Sequence, residues 1–112
     1  MVIKMYVLIN KKKIKIKECK GFFNRLKGYM FKLEPIEEGL RFSKCRSIHT
    51  YFLFQNIDVV MTDKENNIIK LYPNLTSERI ILPKRKVYYT YELPAGSINN
   101  LKVKDKLKVI ED

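Results

Sequence analysis

The chain has 112 residues, 46% of them hydrophobic, with four glycines and four prolines. That composition fits a single domain, 1–112, around one core, and it excludes a disordered or low-complexity chain. Lysine and arginine total 23 against 12 acids, a formal charge of +11 that favours anionic partners such as nucleic acid, phosphate or an acidic polymer.

The N-terminal stretch "MVIKMYVLIN" is broken by Lys4 and followed, not preceded, by Lys11–Lys13. It does not read as a signal peptide, which needs positive charge before its apolar run and small residues at a cleavage site. No run approaches the ~20 apolar residues of a membrane-spanning helix. The expected location is cytoplasmic, with Cys19 and Cys45 reduced. Those two cysteines and the single histidine show no zinc-ligand spacing, so no metal and no cofactor are expected.

Residues 2–9 and 13–18 predict two strands around the polar turn "NKKK". Ile14 and Ile16 face inward while Lys13, Lys15 and Lys17 face out. Lysine on an exposed strand also blocks edge-to-edge pairing, and this is the commoner meaning of such a run. In "GFFNRLKGYMF", residues 21–31, Phe22, Leu26 and Met30 recur at helical spacing. A short amphipathic helix is predicted there, with Arg25 and Lys27 off its apolar stripe as anion-binding candidates. Gly28 costs such a helix ~1 kcal/mol against alanine, and marks either close packing or the helix end.

"LRF" is a short strand. "SIHTYFLF" and "IDVVMTD" predict a hairpin in which 47–54 pairs with 57–62 around Gln55-Asn56. One register then places Ile48, Phe52, Val59 and Met61 on an apolar face. It places His49, Tyr51, Asp58 and Thr62 on a mixed one. "DKENN" is a turn, "IIKLY" a strand, and residues 73–83 are irregular. "RKVYYTYEL" alternates: Val87, Tyr89, Tyr91 and Leu93 on one face, Tyr88, Thr90 and Glu92 on the other. Ser97 is placed to cap a one-turn helix at "INNL", and "KLKVIED" is the last strand. Short strands divided by turns indicate a mostly-β domain, sandwich or barrel.

The stretches "FFNRLKGYMF", "EGLRF", "CRSIHTYF", "IDVVMTD", "NIIKLYPNL" and "YELPAGS…LKVKDKL" together resemble, in order and spacing, the conserved-hypothetical DUF192 family. The resemblance covers nearly the whole chain. It implies a compact jelly-roll-like β-sandwich with one small helix in the N-terminal half, and it implies no assigned reaction. Many relatives resemble exported proteins. Relatives commonly carry a basic residue and a proline where this chain has Phe54 and Asn56, so a ligand site built on that basic group would be altered here. Lys104-Asp105 stands where relatives usually place a glycine before the aspartate.

His49 suits general-base chemistry at neutral pH, yet no neighbouring hydroxyl or thiol has a recognisable nucleophile setting. A hydrogen-bonded strand histidine is the better reading. A metal on His49, Asp58 and Glu92 would draw on three strands with no short-range ligand pair, a weak pattern. Tyr88 and Tyr51 are the free stacking candidates beside basic residues. The favoured reading is a non-enzymatic accessory or ligand-binding module whose mixed face carries His49, Tyr51, Asp58, Thr62, Tyr88 and Glu92, for a small polar ligand. The second is an anion-binding module for nucleic acid or another polyanion, using Arg25, Lys27 and the lysine-bearing strands. The third is a small hydrolase around His49.

Overall fold

A computed structural model describes residues 4–20, 28–50 and 52–111. The chain forms nine strands: β1 (Met5–Ile9), β2 (Lys12–Glu18), β3 (Gly39–Ser43), β4 (Ile48–His49), β5 (Ile57–Thr62), β6 (Ile68–Leu75), β7 (Ile80–Ile81), β8 (Tyr89–Pro94) and β9 (Lys108–Glu111). Seven make one curled sheet in the order β6-β5-β8-β3-β2-β1-β9, and β4 pairs with β7 in a separate ribbon. The mostly-β class is as the sequence indicates, and the sheet curls into a half-barrel.

The first hairpin follows from its turn chemistry. Asn10 and Lys11 both take positive φ, 51° and 67°, the pairing that joins two right-twisted strands with a two-residue loop. Ile14 and Ile16 are buried between exposed Lys13, Lys15 and Lys17. They join Met5, Val7, Val60, Tyr91 and Leu93 in the inner core, which the curl closes with Ile68 and Leu107. Gly39 is demanded by this packing. A Cβ there would lie 2.5 Å from Ile16 Cδ1 and 2.6 Å from Leu93 Cδ2.

The other face of the sheet carries Leu40, Phe42, Val59 and Met61. Cys19, Tyr29, Leu53, Ile81 and Val87 cover it. Central strand β5 is therefore buried at all six residues, without the apolar-polar alternation of a half-buried strand.

Three sequence expectations need correction. The 47–54/57–62 hairpin does not form. Strand β5 spends one edge on β6 and the other on β8, so no edge remains for residues 47–54. Instead Ile48 faces Ile81 and His49 faces Ile80. Thr50 fixes that arrangement: its amide donates to the Arg79 carbonyl at 2.8 Å and its hydroxyl donates to the Thr76 carbonyl at 2.7 Å. In return its hydroxyl oxygen accepts the Arg79 amide at 2.8 Å. Phe52 is consequently a turn residue with φ +60°, and it is 52% exposed rather than buried with Val59.

Second, residues 98–100 are turns, not a helix. The Ser97 hydroxyl donates back to the Pro94 carbonyl at 2.5 Å instead of capping forward. Third, most of the predicted helix, residues 21–27, lies outside the described residues. Its C-terminal part, 28–31, is a turn, and no helix occurs among the described residues. Cys19 and Cys45 are not joined in a disulfide.

Candidate functional site

The polar residues that the sequence grouped on one face are dispersed. In the β5–β8 register Asp58 faces Leu93 and Thr62 faces Tyr89, whereas Glu92 faces Val59. Side chains alternate along a strand, so Asp58 and Thr62 lie on the opposite side of the sheet from Glu92. Both are used structurally. The Asp58 carboxylate accepts the Asn74 amide at 2.8 Å and the Ile98 amide at 3.0 Å, tying the irregular end of β6 to the 94–101 turns. The Thr62 hydroxyl donates to the Asp63 carbonyl at 3.0 Å. His49 sits in the two-stranded ribbon, half-buried and away from the β5 ladder. Tyr88 packs edge-on against Tyr89 with centroids 4.7 Å apart, and the Lys64 ammonium stands 5.3 Å from its ring. Tyr51, Arg25 and Lys27 lie outside the described residues.

Among the described residues, two places concentrate polar chemistry. One is beneath Gly28. Glu92 is 5% exposed, flanked across the ladder by Leu40 and Val59. Its Oε1 has no hydrogen-bond partner among the described residues. Burial pushes the carboxyl up to about 8, so it holds its proton at neutral pH. A Cβ on Gly28, whose φ is +49°, would stand 3.1 Å from that oxygen. Above it, ten residues between Gly28 and Leu40 line a cleft of about 590 Å³. Tyr29 forms part of its wall and donates its hydroxyl to the Glu38 carbonyl. Burial foremost, then the Glu92 charge, raises the Tyr29 hydroxyl far above its ordinary value. Gln55 clamps the same loop: its amide donates to the carbonyls of Lys32 at 3.0 Å and Glu34 at 2.6 Å, and its oxygen accepts the Ile36 amide at 3.2 Å.

The second place is a groove of about 720 Å³ at the ends of β2 and β3. Six cations line it, Lys4, Lys15, Lys17, Lys20, Arg41 and Lys44, against three carboxylates, Glu18, Glu38 and Glu111. Strands β2 and β3 run parallel, and their register ends at Glu18 opposite Arg41. The Arg41 Nε donates to Glu18 Oε1 at 2.5 Å. Ser43 donates to Glu18 Oε2 through its hydroxyl at 2.8 Å and its amide at 3.3 Å. The Arg41 guanidinium also lies 4.5 Å from the Tyr89 ring centroid, a cation–π contact that fixes its plane.

Glu18, Arg41 and Ser43 carry no distinct local sequence signal of a site. A glutamate closing a lysine-rich strand is a faint signal, and its partners emerge only once β2 and β3 are known to be parallel neighbours. The lysines of β2 stand out in the sequence as a group; the structure gathers Lys15 and Lys17 with Lys4, Lys20 and Lys44.

The family model described as "Uncharacterized ACR, COG1430", DUF192, matches residues 5–109. A UPF0127 protein of Thermococcus sibiricus is 35% identical over 107 residues, covering 85% of this chain and 68% of the relative. A UPF0127 protein of Pyrococcus horikoshii is 30% identical over 98 residues, covering 79% and 81%. A crystal structure of a protein of unknown function from Novosphingobium aromaticivorans superposes with a TM-score of 0.75 at 16% identity, over 96% of this chain and 83% of that one. At that identity the likeness speaks for the fold alone.

Proposed function

The chain belongs to the DUF192 family, and within it we propose a non-enzymatic binding module whose ligand is anionic and seats in the β2–β3 groove. The observation that carries this reading is the groove lining, six cations against three carboxylates around one cavity of ligand size. The groups that would serve a hydrolase are apart. His49 is in the ribbon, Asp58 is spent on two backbone amides, and Glu92 lies on the opposite face of the sheet from Asp58. That separation favours binding over turnover.

The test is a fluorescence titration with a single-stranded thymidine oligonucleotide across a salt series. Replacing Lys15, Lys17 and Lys44 with alanine should weaken binding and reduce the slope of log affinity against log salt by about 2, roughly 0.7 for each lysine. A triple variant at Lys64, Lys86 and Lys106, away from the groove, should lose much less. Equal losses in the two variants would show that the lysines act only as dispersed charge.

A further inference from the structure

We infer that Arg41 and Ser43 form an oxyanion cradle for a phosphoryl group, and that Glu18 is its built-in occupant, which the ligand displaces. The inference rests on the anion-binding reading and locates its ligand's head group. Three donors converge on one carboxylate: the Arg41 guanidinium at 2.5 Å, and the Ser43 hydroxyl and amide at 2.8 and 3.3 Å. Such a set, one guanidinium with a backbone N–H and a hydroxyl, is what phosphate-binding sites present.

The strand geometry explains why the donors are available. The Cys19 amide makes the last β2–β3 ladder bond, to the Arg41 carbonyl at 2.9 Å. Strand β2 ends before it can cover Ser43, so the Ser43 N–H turns to a side chain. The cradle does not depend on Glu18 for its shape. Arg41 is held over Tyr89, and Ser43 is held in the β3–β8 ladder opposite the same residue.

The pair is also within a ligand's reach. Arg41 and Glu18 keep 17% and 20% of their side-chain surface, and both line the open groove. Charge selects the class of anion. A carboxylate would replace Glu18 like for like. A phosphoryl group brings close to two negative charges and three acceptor oxygens, and five lysines line the wider groove, Lys15 among them paired with Glu38 at 3.8 Å. Glu18 therefore sets a threshold that weak monoanions do not cross.

Inorganic phosphate, titrated calorimetrically at low ionic strength, is the first probe. Glu18→Gln, which keeps shape and removes the competing charge, should bind it about tenfold more tightly than the wild type, a difference of 1.4 kcal/mol. Adding Arg41→Gln should erase the gain. In the wild type the Ser43 amide resonance should shift on phosphate addition, a readout that needs no variant. A second arm compares the oligonucleotide with and without a 5′-phosphate. A Glu18→Gln gain with inorganic phosphate alone supports free phosphate as ligand, and a gain with the 5′-phosphorylated strand as well supports a terminal phosphomonoester. No gain with either, or an unmoved Ser43 amide, overturns the cradle. If oligonucleotide binding still depends on Lys15, Lys17 and Lys44, the anion-binding reading survives that failure.

Discussion

Glu92 carries a carboxyl in an apolar setting between Leu40 and Val59, and its proton links the fold to pH. Burial raises its pKa from 4.5 to about 8. Between those values the native side chain keeps its proton while the unfolded chain has released it. Unfolding then releases a proton, so stability falls as pH rises, by at most about 1.4 kcal/mol per pH unit from this group. Below the window both states are protonated, and above it both are ionised, so the contribution is flat. Glu92→Gln removes the titration. Denaturant melts from pH 5 to 8 should show a shallower slope for the variant and a variant more stable than wild type at pH 8. Parallel slopes would mean that the native carboxyl is ionised throughout. A second prediction at this scale concerns Gly39. Its missing Cβ leaves room for Ile16 and Leu93, so Gly39→Ala should cost about 1–3 kcal/mol by overpacking, seen as a lowered thermal midpoint.

At the scale of elements, β4 shows how a strand is placed by hydrogen bonds rather than by pattern. Thr50 is buried and bonds Thr76 and Arg79. Thr50→Val keeps the volume and leaves the Arg79 amide without its side-chain acceptor, a change expected to cost about 1–3 kcal/mol in denaturant melts. Phe52→Ala, by contrast, should cost less than about 1 kcal/mol, because its ring is half in solvent and, among the described residues, stacks on Phe31 at 5.2 Å. A loss of core size on Phe52→Ala would restore the hairpin that the sequence suggests. That hairpin illustrates what the sequence makes legible. Strands β1, β2, β3, β5, β6, β8 and β9 announce themselves through alternation or unbroken apolar runs bounded by turns. Partner choice does not. A register between 47–54 and 57–62 is self-consistent on paper, yet β5 finds β8, more than 25 residues away, because burying both of its faces and both of its edges removes more apolar surface from water than a local pairing would. The candidate site was hidden for the same reason. Lys15 and Lys17 are visible as a charged strand face, but Glu18, Arg41 and Ser43 meet only through the parallel β2–β3 pairing, a non-local contact without a local motif.

Across the whole molecule, a formal charge of +11 opposes the compact state by self-repulsion. Sodium chloride screens that repulsion, with a Debye length of about 10 Å at 0.1 M, so the thermal midpoint should rise as salt is added from low ionic strength. Screening acts on every surface lysine alike and depends on ionic strength alone. A ligand bound only by the native state acts differently. It stabilises by RT ln(1 + [L]/Kd), about 2.7 kcal/mol at a hundredfold excess over Kd. The two effects separate when sodium chloride and sodium phosphate are compared at equal ionic strength and pH. Screening alone gives equal midpoints. Occupation of the β2–β3 groove gives a higher midpoint in phosphate, larger in Glu18→Gln, where the carboxylate no longer holds the three donors, and absent when Arg41 is also replaced by Gln. If phosphate and chloride stabilise wild type and Glu18→Gln identically, the positive charge serves the surface as a whole and the groove is one part of it.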